Sequence, residues 1–152
     1  METFMSTTTR TIHASPEAVF DVLANGWSYS QWVVGASRIR GVAEGWPAQG
    51  TQIHHSVGAW PLLIDDTTTV RRSERPRLLE LTVRAWPSGE GVVRITCRPD
   101  GADTVVTMEE DASSGPALLV PRPVRSLALD RRNREALARL AILVERAGTH
   151  AV

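Results

Sequence analysis

An α+β fold is what this sequence predicts: one curved antiparallel sheet of about seven strands, wrapped around a long C-terminal helix, with two short helices after the first strand. Three observations predict it. Between residues 36 and 111, apolar and polar side chains alternate with period two, and Gly and Pro break the pattern at short intervals. From about 122 to 147, apolar residues recur at helical spacing instead, at Leu129, Ala136, Leu137, Leu140 and Val144. A Thr-rich stretch at the front runs directly into Ser15-Pro16-Glu17, a strong helix start.

Taken in order, residues 4–13 predict a strand. "ASPEAVFDVLAN" then offers Ser15 as N-cap, Pro16 at the first helical position and Glu17 in the first turn, with Val19, Phe20 and Leu23 on one face. In "SYSQWVVG", Ser28 and Gln31 have the capping-box spacing, which predicts a short second helix. Strands follow near 36–43, 50–57, 62–72, 77–86, 91–98 and 103–111. The connections "EGWPAQ", "GAWP", "SERP", "PSGE" and "RPDGAD" are short enough for hairpins, so these strands form a meander. The last helix has Pro121 and Pro123 near its start and Gly148 as its expected C-terminal cap.

The chain of 152 residues suits one domain, with a core over about 4–148, and is long enough to bury roughly 70% of its unfolded surface. Its seventeen basic residues, all arginine, balance seventeen acidic ones. Without a basic excess, nucleic acid is not an expected partner. The one cysteine, Cys97, cannot form an internal disulfide, and no stretch has the length of a signal sequence or a membrane span. A cytoplasmic protein, monomer or homodimer, is the expectation.

Three segments carry a family resemblance: "IHASPEAVFDVLAN" followed by Trp32, the strand pair in "GTQIHHSVGAWP", and "RRNREALARLAILVE" at the end. The chain resembles the START-like (SRPBCC) superfamily, and within it the polyketide cyclase/dehydrase-type proteins, over nearly its whole length. The resemblance implies the helix-grip arrangement. It also implies a cavity between sheet and long helix that holds an apolar or aromatic small molecule.

Strand alternation sorts the polar residues that could line such a space. In "TQIHHSV", Ile53, His55 and Val57 share a face and Gln52, His54 and Ser56 the other, so His55 is expected inside and His54 in water. Adjacent strand histidines diverge and cannot chelate one ion together. Leu79, Leu81, Val83 and Ala85 are read as inward, as are Val93, Ile95 and Cys97. In the last strand, Thr104, Val106, Met108 and Glu110 make the better core face. On the long helix Asn133 is an amide in an otherwise apolar stripe. A buried amide must find a backbone group, a water, a polar side chain or a ligand, because leaving it unmatched costs about 1–3 kcal/mol.

Each candidate has a plainer role to weigh. His55 is a structural histidine, a ligand contact or a general base. Asn133 either ties helix to sheet or touches ligand, and Glu110 is better suited to a rim ion pair with an arginine than to catalysis. Asp65, Asp66 and Thr67–Thr69 read as a polar outer face with one buried hydrogen-bonding position. The five tryptophans are packing anchors, Trp32 above all, but Trp60 and Trp86 sit in loops at one end of the sheet, where they would border a cavity mouth beside "GPALLVP". No phosphate loop, nucleophile elbow or metal-ligand spacing is present, so neither metal nor cofactor is expected. The leading expectation is binding of a hydrophobic small molecule through His55, Asn133, Glu110, Met108, Trp60 and Trp86. The alternatives are a cyclase/aromatase or dehydratase-type enzyme with His55 as base, and a regulatory or interaction subunit.

Overall fold

The computed structural model describes residues 6–34, 36–57, 64–85 and 89–149. Strand β1 (Ser6–Ile12) leads into helix α1 (Pro16–Ala24), whose N-terminus is capped by Ser15: its Oγ accepts from the Ala18 amide at 3.2 Å. Val19, Phe20 and Leu23, the predicted apolar face, are all buried. A 3-10 turn (Gly26–Ser28) then feeds the four-residue helix α2 (Tyr29–Trp32). The capping box expected from Ser28 and Gln31 does not form. Ser28 already has helical dihedrals, and its hydroxyl donates backwards, to the carbonyls of Asn25 at 2.8 Å and Val22 at 3.2 Å. The hydroxyl thus closes the end of α1 instead of opening α2.

Six further strands follow: β2 (Ala36–Val42), β3 (Gln52–Val57), β4 (Ile64–Glu74), β5 (Leu78–Ala85), β6 (Gly89–Asp100) and β7 (Asp103–Ser114). They form one seven-stranded sheet in the order β1-β7-β6-β5-β4-β3-β2, antiparallel at every pairing. This is the expected meander, with β1 added at its far edge beside β7. Register shifts in β2, in β4 between Val70 and Arg72, and in β7, where Ser113 is the extra residue opposite Glu90 and Gly91, mark where an extra residue bends a strand, which curves the sheet.

Helix α3 (Arg122–Thr149) closes the fold. Gly148 is not its cap; the helix runs through it to Thr149, so the glycine takes a helical place instead of the left-handed one. The predicted stripe packs as expected: Asn133, Ala136, Leu137, Leu140 and Val144 are buried, joined by Ala141, while Leu129 is half-buried. Ala136, Leu137, Leu140, Ala141 and Val144 meet Ile95, Cys97, Val106 and Met108 from the sheet and Phe20 and Leu23 from α1 in one apolar core. Ser6 donates to Asp130, pinning β1 to α3. Trp32 is a core anchor as predicted, whereas Trp27, read with the other tryptophans as an anchor, is 59% exposed.

One glycine places the elements that matter for the site. A Cβ on Gly26 would lie 2.6 Å from Val42 Cγ1, closer than real contacts allow. Only glycine lets this turn press onto β2 and β3, and the pressing brings Tyr29, three residues on, over the inner face of β3 and β4.

A polar relay and an apolar pocket

In β3, Ile53 and His55 face inward and His54 faces water, as alternation requires. Across the ladder His55 pairs with Asp66, and Ile53 with Thr68. Directly opposed residues share a face, so Asp66, Thr68 and Val70 all belong to the inner side of β4, and all three are buried. The expectation of one buried position in this acidic, Thr-rich segment therefore falls short by one. Asp65, Thr67 and Thr69 keep the outer side.

Thr68, fully buried, is the hub. Its Oγ1 lies 3.0 Å from His55 Nε2 and 2.9 Å from the Tyr29 hydroxyl. The Tyr29 and His55 rings are 5.5 Å apart and tilted by 33°, and Trp32 stands edge-on to Tyr29 at 5.5 Å. Burial pushes the Tyr29 phenol up to about 12, with the Thr68 hydrogen bond acting against it, so the phenol remains a proton donor at neutral pH. Burial also lowers the His55 pKa from its ordinary value near 6.5. Asp66 opposes that change without cancelling it, and Arg40 and His54 reinforce it. The imidazole is therefore neutral at pH 7.

Beside this relay, Glu110 of β7 is buried and accepts a hydrogen bond from the half-exposed guanidinium of Arg132 on α3. Glu110 is thus held as a rim ion pair, the plainer of its two roles. The next residue, Asn133, is 2% exposed. Its Nδ2 has no hydrogen-bond partner among the described residues, and neither does His55 Nδ1.

These side chains border one pocket between sheet and helix. Trp32, Leu81, Val93, Met108 and Ala136 supply apolar wall, and His55, Asn133, Glu110 and Tyr29 the polar positions. The cavity has a volume of about 80 Å³. A single water needs roughly 10–15 Å³, so the interior is a narrow slot with room for several waters. Among the described residues no three His, Cys, Asp or Glu side chains are grouped to hold a metal ion, and no helix is long and apolar enough to cross a membrane.

Four of the six predicted site residues, His55, Asn133, Glu110 and Met108, line this pocket. Trp60 and Trp86 lie outside the described residues. Sequence reasoning missed Tyr29, Thr68, Asp66 and Arg132. For two of them a signal existed: Tyr29 sits one helical turn before the inward Trp32, and Thr68 alternates with Val70.

The family model described as polyketide cyclase / dehydrase and lipid transport matches residues 3–145. No curated protein matches the chain in sequence. Among solved structures, a conserved protein from Geobacillus kaustophilus superposes with a TM-score of 0.74 at 12% identity, covering 93% of this chain and 95% of that one. The di-domain ARO/CYC StfQ from the steffimycin biosynthetic pathway superposes at 0.71 with 10% identity, covering 93% of this chain and 51% of that longer one. Ara h 8.0201 does so at 0.69 with 10% identity, over 92% of this chain and 96% of that one. At such identities the likeness is one of fold, the helix-grip arrangement.

Proposed function

The chain belongs to the polyketide cyclase/dehydrase and lipid-transport family, and from that premise we propose that it binds an apolar or aromatic small molecule in the pocket between its sheet and α3. One observation carries the reading. Two buried side chains in the wall of an apolar pocket, His55 and Asn133, each keep a polar nitrogen without a partner among the described residues. Each such atom costs about 1–3 kcal/mol, and leucine at 133 would match the rest of the stripe. A chain shaped for stability alone would not keep both. Binding sites hold such unspent polar groups because a ligand repays them.

Titration with a fluorescent naphthalene probe tests the proposal, alongside Ala36→Trp, which fills the pocket from its β2 side. The wild type binds the probe, and the variant, folded to the same melting temperature, loses at least about tenfold in affinity. No binding, or binding unchanged by the filled pocket, refutes it. Native mass spectrometry of the purified protein would identify a retained ligand directly.

The second reading, a cyclase-type enzyme acting on a ligand in the same pocket, is favoured by the neutral, relay-linked imidazole in its wall. There the imidazole would polarise the substrate, and loss of turnover in His55→Leu with retained binding would support it.

A further inference from the structure

The relay from Tyr29 through Thr68 to His55 contains more information than its distances. Thr68 Oγ1 is the hydrogen-bond partner that the described residues offer to both Tyr29 and His55 Nε2. Each hydroxyl has one hydrogen to donate, and Tyr29 and Thr68 are 3% and 0% exposed, so bulk solvent competes for neither and, among the described residues, the relay itself must supply the acceptors. Three proton arrangements are available. If Thr68 donates to Tyr29, the phenol hydrogen is left without an acceptor. If Tyr29 and His55 both donate to Thr68, the threonine hydrogen is left without one. Only the ordered chain, Tyr29 to Thr68 and Thr68 to Nε2, uses both hydroxyl hydrogens.

In that arrangement Nε2 is an acceptor, and the proton of the neutral ring sits on Nδ1. Nδ1–H is then an unmatched donor. So is Nδ2 of Asn133, on the facing helix. Both residues line the same slot, one from the sheet and one from α3.

Resting on the binding reading above, we propose that the Tyr29–Thr68 relay fixes His55 as the Nδ1–H tautomer, so that the pocket selects a neutral apolar ligand whose buried end is an acceptor oxygen bearing no hydrogen, such as a ketone, aldehyde or ester carbonyl. Thr68 acts in this as a positioning residue: it touches no ligand and sets which nitrogen of His55 carries the proton. A hydroxyl head is a poorer match, since its own hydrogen meets a second donor, and a hydrocarbon head leaves both donors unmatched.

Two measurements test this. Nitrogen NMR of ring-labelled histidine, with His55 assigned through its loss in His55→Leu, reads the tautomer in the ligand-free protein. Nδ1 protonated and Nε2 bare is expected in wild type and in Thr68→Ser, with reversion to Nε2–H in Thr68→Val. A bare Nδ1 in wild type overturns the proposal. The second measurement compares acetylnaphthalene with isopropenylnaphthalene, in which a methylene replaces the carbonyl oxygen at nearly the same shape, and with hydroxymethylnaphthalene. The ketone is expected to bind roughly tenfold tighter than the alkene, with the alcohol between, and Asn133→Leu should shrink the gap. Equal affinities refute the selection of an acceptor and leave the binding function standing. Failure of all three to bind, with the expected tautomer in place, refutes the binding function itself and the ligand class with it.

Discussion

Replacing Thr68 by valine removes one oxygen from the centre of the fold and keeps the shape of the side chain. Two hydrogen bonds disappear, at 2.9 Å to Tyr29 and 3.0 Å to His55, and both partners stay buried. Each orphaned group costs about 1–3 kcal/mol, and the added methyl returns up to about 1 kcal/mol. A net loss of roughly 1–6 kcal/mol results, and for a chain of this length each kcal/mol lowers the melting temperature by about 2–4 °C. Tyr29→Phe removes one of the two orphans, so the double variant should cost less than the sum of the singles by about 1 kcal/mol. Chemical denaturation of the four proteins measures all of these. A Thr68→Val protein as stable as wild type, or strict additivity with Tyr29→Phe, would refute the relay.

Other outcomes follow from burial. Tyr29 is the chain's only tyrosine, so tyrosinate absorbance reports on it alone; it should ionise near pH 12, or only on unfolding. Between pH 10 and 12 the unfolded chain has lost a proton that the folded chain keeps, so stability should fall with rising pH there, by on the order of 2 kcal/mol. His55 has the opposite sense: its folded pKa is lowered, its contribution is intact above about pH 6.5, and stability should fall as pH drops below that. Melting curves across acid pH in wild type and His55→Leu separate this slope from the rest of the protein's, and an identical slope in both would contradict it. Cys97 is 2% exposed and burial pushes its thiol up to about 12, so iodoacetamide at pH 8 should leave the folded protein unmodified and label it in denaturant. Rapid labelling of the folded protein would place this thiol outside the core.

Spacing along the chain already states which side of β3, β7 and α3 looks inward. A strand allows its side chains two directions and a helix repeats every 3.6 residues, so Ile53 and His55, Thr104 through Glu110, and the stripe from Asn133 to Val144 were legible from spacing alone. Strand number and hairpin order followed from short turns, which leave a chain few other routes. Which inward groups meet is settled by packing. Tyr29, Thr68 and His55 come from α2, β4 and β3, and Glu110 and Arg132 from β7 and α3. The first meeting depends on a turn that presses onto β2 because Gly26 lacks a Cβ, and on β3 and β4 pairing in one register out of several that the alternation permits. Ser28 shows the same divide on a local scale: its spacing to Gln31 fits a cap, but the carbonyls of Val22 and Asn25 lay closer in space and took its hydroxyl. Periodicity states a direction, and hydrogen bonds need a distance, which long-range packing alone supplies.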